Sequence, residues 1–307
     1  MLWRYILKRI GQTFIVLFAV SILSFVLIRL APGNPAMMVL GDSATVEDIA
    51  AMEAKLGLDQ PLVKQYITYI VGVLHGDLGT SIIYNKAVSS LVISRFFVSL
   101  KISMAALAFS LIISIPIAIL AGTHQGKFID FFAMAFAVLG QSMPTVWLGI
   151  LNILVFAVFL GIFPAFGYEG PMSLVLPAMT LGYPFAAVVT RMGRSGMIDV
   201  LREDYITATI AKGIPRHTVY MKYAFKNAMI PIVTLVGMQI GHFLGGAVVC
   251  ETMFGMPGIG QLLNLSVGNR DYFVVQALLL LIATAFAVLN LLVDIVNALI
   301  DPRIRLQ

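Results

Sequence analysis

Four histidines, one cysteine, a GxSG tetrapeptide and a few polar residues inside apolar runs are what this sequence offers to chemistry. His75, His124, His217 and His242 lie far apart and Cys250 stands alone, so neither a metal centre nor a disulfide framework is expected. A phosphate-binding GxxxxGK[ST] loop and an HExxH zinc signature are both absent from the sequence. Gly193-Arg194-Ser195-Gly196 matches the short GxSG pattern of a serine nucleophile in a membrane helix. Such a nucleophile needs a histidine base within hydrogen-bond reach. Ser195 instead follows Arg191 and Arg194 at the edge of an apolar block, and the last apolar block has no histidine. No catalytic residue is expected.

Polar side chains inside apolar runs are costly in hydrocarbon and normally face the bundle interior. Gln141, Asn152, Gln239, His242, Asn290 and Asp294 qualify. Gln239 and His242 are three apart and share a helix face. Together with Gln141 they are candidates to line a translocation pathway, against the competing reading of helix–helix hydrogen bonding. Asp294 is better suited to a structural ion pair than to a proton relay.

Composition sets the elements that must position these groups. The 307 residues are 60% hydrophobic and 11% charged, with a mean hydropathy of +0.96, values of a polytopic membrane protein and not of a soluble domain. The net charge of +5 reads as loop charge near anionic lipid and not as a nucleic-acid surface. Ile10 to Ile28 is free of charge for 19 residues, enough to cross a hydrocarbon core of about 30 Å. Further spans are expected at 102–122, which contains Pro116, at 131–163, at 173–190, at 229–250 and at 273–300. The 33 uncharged residues of 131–163 are broken at Gly140–Pro144 and read as two spans or as one kinked span with an interfacial lead-in; two spans would put the basic 191–226 stretch outside, so one is expected. Six spans then place the amino terminus, Lys127, the 191–226 stretch, Arg303 and Arg305 on one side. That side holds 13 of the 20 Lys and Arg residues, which makes it cytoplasmic.

Residues 31–94 form the long polar insertion. A breaker cluster at Ala31–Pro35 precedes Thr45 and Asp48, which have capping-box spacing. A helix follows that ends at Gly57, and Pro61 starts a second, apolar at Leu62, Tyr66, Ile70 and Leu74, before a GDLG turn at 76–79. Two amphipathic helices would make a small external cap. In the fifth span Gly237, Gly241, Gly245 and Gly246 have the small-xxx-small spacing of a close helix contact.

Charge accumulates again in Asp199–Pro231, where Arg202, Lys212, Arg216, Lys222 and Lys226 alternate with apolar residues at helical spacing. The pattern stops at Lys212-Gly213, and Pro215 suits the start of a new helix. A helix, a glycine turn and a second helix are expected there.

EDYITATIAKG (Glu203 to Gly213), with Pro231 18 residues beyond its glycine, resembles the cytoplasmic EAA loop of ATP-binding-cassette import permeases. APGNPA (31–36), LGLDQPL (56–62), HGDLGTS (75–81), PGIGQLL (257–263), RDYFVVQ (270–276) and NLLVDIVNALIDPRIR (290–305) match the dipeptide, oligopeptide and nickel subfamily in order along the chain. The Glu-Ala-Ala core is replaced by Thr207-Ala208-Thr209, so coupling here would rest on shape and on neighbouring residues.

The resemblance implies an all-α, six-helix type-1 importer permease: a span at 1–30, the cap at 31–94, a permease core at 95–300 with its coupling loop at 199–231, and a cytoplasmic tail at 301–307. It implies a prokaryotic inner membrane with both termini cytoplasmic. The implied partners are a second, related permease, two ATPase subunits and an external solute-binding protein meeting the cap or the 251–272 loop. The chain itself would bind no cofactor, since ATP is used by the partners, and would catalyse nothing. In the coupling loop Tyr205, Ile206 and Ile210, beside Ala208, would pack into a groove of the ATPase. Gly213 would set the angle between the helices, with Asp204, Lys212 and Arg216 at the rim. Small peptides are the leading cargo; nickel, a metal chelate and glutathione are the alternatives. An ATP-independent channel or carrier and an intramembrane serine protease are the readings from other classes.

Overall fold

In the computed structural model, residues 2–30, 35–40 and 44–300 are described, so the breaker residues Ala31–Asn34, the 301–307 tail with Arg303 and Arg305, and the Asp294 side chain lie outside the described residues. The helices are α1 (Leu2–Leu30), α2 (Pro35–Leu40), α3 (Val46–Leu56), α4 (Leu62–Leu74), α5 (Val88–Thr123), α6 (Phe128–Ser142) and α7 (Thr145–Asn152). They continue as α8 (Val175–Leu201), α9 (Asp204–Ala211), α10 (Arg216–Thr218), α11 (Phe225–Ala228), α12 (Ile230–Met253), α13 (Ile259–Gly268) and α14 (Tyr272–Ile300). Among the described residues no β-strand is found, and the protein is an all-α membrane protein. Among the described residues four helices are long and apolar enough to cross a membrane, or up to six spans if each of two bent pairs counts as one.

Two of these spans differ in detail from what hydropathy predicts. The apolar run of the second begins at Ile102, yet α5 begins at Val88, because Arg95 and Lys101 interrupt the hydropathy without interrupting the helix. The 131–163 run is not gently kinked: α6 and the helix that follows it meet at 112°. Pro144 explains the break, since a residue before proline is driven out of the helical region, and Met143 has φ −83° and ψ 126°. After α7 the chain widens into a π-helical turn at Ile153–Phe159.

The chain divides into two compact units, 1–99 with 257–307 and 100–256. In the first, α1 packs along α14, and Val88, Val92, Ile259, Leu262, Val274, Ala277 and Leu278 form a buried cluster. The cap helices have the expected ends. Thr45 Oγ1 accepts from Asp48 N, and Asp48 Oδ2 accepts from the Thr45 hydroxyl at 2.6 Å and from Thr45 N; the bond from the hydroxyl, then that from the backbone, holds the Asp48 carboxyl below the ordinary carboxylate range. Gly57 ends α3 with φ +68°.

The same unit explains two of the short motifs. Gly79 takes φ +85°, and a Cβ on it would sit 2.8 Å from the Phe273 ring. Ser81 Oγ donates to Asp271 Oδ2 at 2.5 Å, and Asp271 is fully buried. HGDLGTS and RDYFVVQ, 190 residues apart, are therefore two halves of one joint. Removing one partner from a buried polar pair strands the other at a cost of about 1–3 kcal/mol. Ser81→Ala should accordingly lower the unfolding midpoint in detergent, and an unchanged midpoint would show that the joint contributes nothing.

In the second unit α8 is central. It packs against α6, α7, α11 and α12, and its small residues permit the approach. A Cβ on Gly182 would lie 2.5 Å from the Ala106 carbonyl oxygen, and one on Gly193 2.8 Å from Ala118 Cβ. Of the glycines singled out in the fifth span, Gly246 nears only the end of Leu181 and Gly245 meets nothing within 4 Å. Among the described residues α8 makes close helix contacts of this kind through Gly182 and Gly193.

Candidate functional site

The 199–231 stretch folds as its punctuation requires. α8 runs out at Leu201, Glu203 is extended (φ −69°, ψ 145°) and caps α9, and Asp204 stands in the first turn, where a carboxylate complements the helix dipole. α9 closes at Lys212. Gly213 then takes φ +78°, its N–H donating to the Ile210 carbonyl at 2.9 Å. Pro215 is extended and immediately precedes α10, so it stands one residue before the helix and not within its first turn. The second arm is not one regular helix: α10 passes through a π-helical stretch, Val219–Ala224, into α11.

Burial divides the residues expected to act there. Ile206 is 1% exposed and belongs to this chain's own core with Met197, Val219, Ala224 and Ala228. It therefore anchors α9 to the protein, in place of the groove contact predicted for it. Tyr205 and Ile210 remain 39% and 43% exposed. The Tyr205 hydroxyl receives Asn227 Nδ2 at 2.7 Å and donates to the Tyr223 carbonyl at 3.4 Å, tying the two arms. Asp204, Ala208, Lys212, Gly213 and Arg216 are exposed. In the Thr207-Ala208-Thr209 core, Thr209 Oγ1 bonds back to the Tyr205 carbonyl at 2.6 Å. Tyr205 and Ala208 are thus exposed on the side of α9 away from Ile206, Ile210 is exposed beyond Ile206 on its own side, and charged residues flank them. A short helix anchored by one buried residue and exposed elsewhere can enter a groove on another protein.

The pathway candidates are not gathered into one place. Gln141 is exposed and its amide donates to its own helix at Ala137 O, 3.2 Å away. Gln239 is half-buried and His242 exposed, on either side of a 49° bend in α12. Their common face therefore does not follow from the three-residue spacing. Asn152 is buried and its amide donates to Thr180 Oγ1 at 2.9 Å, the helix–helix bond that was the competing reading. Asn290 is half-buried in α14. Among the described residues no group of three or more His, Cys, Asp or Glu could hold a metal ion.

One constellation escaped the sequence. Asp130, in the first turn of α6, is buried against Arg194 of α8, which donates to it through Nε and, at 2.7 Å, through Nη2. Gly126 N adds a third bond at 2.9 Å. The pair joins the α5–α6 turn to α8 seven residues before α8 ends, and Arg202 Nη2 reaches Gln125 Oε1 of the same turn at 3.4 Å. The residues are 64 positions apart, and no local pattern links them. The pair also clarifies the GxSG tetrapeptide: Arg194 is committed to Asp130, Gly193 and Gly196 make room for Ala118 and the Ala228 backbone, and Ser195 is exposed.

Residues 114–306 match the family model of the binding-protein-dependent transport system inner membrane component, and residues 1–105 match that of its N-terminal part. The glutathione transport system permease protein GsiC of Salmonella paratyphi A is 40% identical over 301 residues, covering 98% of each chain. GsiC of Escherichia coli K12 is 39% identical over the same length and coverage. Among solved structures, a chain from the inward-facing conformations of the MetNI methionine ABC transporter aligns with a TM-score of 0.56 and 18% identity. That alignment covers 69% of this chain and 96% of the other, and at such identity it speaks for the fold alone.

Proposed function

Because the chain belongs to the binding-protein-dependent transport system inner membrane component family and is a membrane-spanning permease subunit of an ABC importer, we propose that it imports small peptides across a prokaryotic inner membrane. Glutathione, itself a tripeptide, is the first cargo to test, since it is what the names of the 40%-identical relatives state. In this reading both termini face the cytoplasm, two ATPase subunits hydrolyse the ATP, and this chain catalyses no reaction. A second permease completes the pathway, and an external solute-binding protein delivers cargo to the 31–94 cap or the 251–272 loop.

The observation that carries the mechanism is the rigid seating of α9. Ile206 is fixed in the core below, while Tyr205, Ala208, Ile210 and the charged rim stand outside. Asp204, Lys212 and Arg216 set register at the edge of the ATPase groove. ATPase closure displaces α9, Ile206 transmits the displacement to Met197 of α8, and the spans tilt as bodies, which is how alternating access is produced. No charge is needed at Thr207-Ala208-Thr209, because the transmitted quantity is position. Gln141, Gln239 and His242 remain the residues of this chain proposed to line the pathway.

The test is uptake of labelled dipeptide, glutathione and nickel, side by side, in cells with and without this chain. Loss of dipeptide or glutathione uptake, with nickel unaffected, is the expected result. Loss of nickel uptake alone would overturn the peptide assignment and direct mutagenesis to His242.

A further inference from the structure

A cavity of about 400 Å³ opens among the end of α1, the α3–α4 hairpin, the turn at Asp77–Gly79 and the start of α14. It lies wholly within the first unit. Its wall includes two cationic side chains, Arg29 and Lys55, and one carboxylate, Asp77. That carboxylate is already engaged, Oδ1 accepting the Gly79 N–H at 2.9 Å. Arg29 is held in place by neutral groups: Nε donates to Gln65 Oε1 at 2.8 Å, Nη1 to the Phe25 carbonyl at 3.3 Å, and the guanidinium lies 3.5 Å from the Phe25 ring centroid. Gln65 is fixed in turn, its amide donating to the carbonyls of Leu58 and Gln60. This orientation presents its oxygen to Arg29.

Gln276 and Tyr69, which also line the cavity, carry buried donors with no acceptor among the described residues. Gln276 is 2% exposed and its Nε2 is buried without a hydrogen-bond partner among the described residues. The Tyr69 hydroxyl is likewise buried and unpartnered, and burial pushes its pKa up to about 12, so it keeps its proton. Burying donors without acceptors is costly, and a guanidinium oriented by neutral groups retains N–H bonds for a further ligand. The complement to this set is an acceptor-rich group with negative charge.

We propose that this cavity binds an oxyanion, a carboxylate or a phosphate, with Arg29 as the charged anchor and Gln276 and Tyr69 as the closing donors. The volume accommodates a small-molecule ligand. Two sources share this chemistry: a soluble acid, such as the carboxylate of a peptide, and a phospholipid headgroup, since Arg29 stands in the last turn of a helix long enough to span a bilayer. The inference goes beyond the import function and does not rest on it, because it concerns a cavity built from the cap and the ends of two spans.

The test uses the full chain, purified with its associated subunits in a phosphate-free maltoside detergent, titrated calorimetrically with inorganic phosphate, glutathione and short-chain phosphatidylglycerol. Arg29→Gln, Gln276→Leu and Tyr69→Phe are compared with Lys64→Gln, an exposed cation on α4 that does not line the cavity. At least one probe should bind the wild type, with Kd raised tenfold or more in Arg29→Gln and Gln276→Leu, several-fold in Tyr69→Phe, and unchanged in Lys64→Gln. Without ligand, Gln276→Leu should melt at or above the wild-type temperature, because it removes an unpaired buried amide. A soluble probe that binds identifies a solute site, and phosphatidylglycerol alone identifies a headgroup site; both uphold the proposal. Absence of binding by all three probes, or equal binding in all variants, would overturn it. Tyr69→Phe removes only a hydroxyl and decides the matter if the other variants fail to fold.

Discussion

Gly213→Val should assemble and insert normally yet lose ATP hydrolysis coupled to transport, and with it solute uptake. The reason is conformational. Gly213 holds φ +78°, a region that costs an L-residue about 1–2 kcal/mol and a β-branched one more. Space is not the issue, since a Cβ there would meet nothing within 4 Å. Valine would therefore escape the strain by re-aiming the turn, swinging the tip of α9 away from α10 while Ile206 stays in its core. Tyr205, Ala208 and Ile210 would then no longer match the ATPase groove proposed to receive them. Gly213→Asn is the control, because asparagine tolerates the left-handed region and should retain most uptake. ATPase activity of the reconstituted importer, with and without binding protein and cargo, reads both variants. Wild-type uptake by Gly213→Val would remove α9 from the coupling mechanism.

The contrast between Gly213 and Ile206 shows where sequence reading stops. Glycine followed by Pro215 announces a turn through local chain geometry, and local geometry is legible in a sequence; the Thr45–Asp48 capping box and the Gly57 helix end were legible for the same reason. Ile206 and Ile210 have the same apolar character at helical spacing, which places them on one face without saying what that face meets. In the structure the core reaches Ile206 and has run out at Ile210. The 112° break between α6 and α7 is intermediate: Pro144 marks its place, but no residue encodes its angle. Hydropathy found the spans and misplaced the start of α5, because a helix continues through Arg95 and Lys101 where an apolar run cannot. The motifs HGDLGTS and RDYFVVQ identified a family before they had a physical meaning, which is the Ser81–Asp271 and Gly79–Phe273 joint. The unpaired Gln276 amide was invisible for the converse reason, since only the three-dimensional neighbourhood shows a missing partner.

The Asp130–Arg194 pair should prove unequal in its two halves, and the inequality follows from exposure. The Asp130 side chain is 7% exposed and that of Arg194 24%. Arg194→Met strands a buried carboxylate with only the Gly126 N–H to satisfy it, and breaking a buried pair by removing one partner costs about 3–5 kcal/mol. Asp130→Asn leaves a guanidinium whose long side chain can redirect its charge to water, and the new amide still accepts from Gly126. We expect it to cost about half as much. The double variant should be more stable than Arg194→Met alone, because it removes the stranded charge, whereas independent contributions would make the double variant the least stable. Thermal unfolding of the four proteins in detergent closes this cycle. The pair matters beyond stability because it ties the α5–α6 turn to α8 just before the corner where α8 gives way to α9. If Asp130→Asn keeps its fold but lets α8 shift at that point, cargo-stimulated ATPase should fall while basal ATPase stays near wild type. Equal unfolding midpoints for Asp130→Asn and Arg194→Met would show that the buried carboxylate bears no special penalty and that the pair acts only as a surface contact.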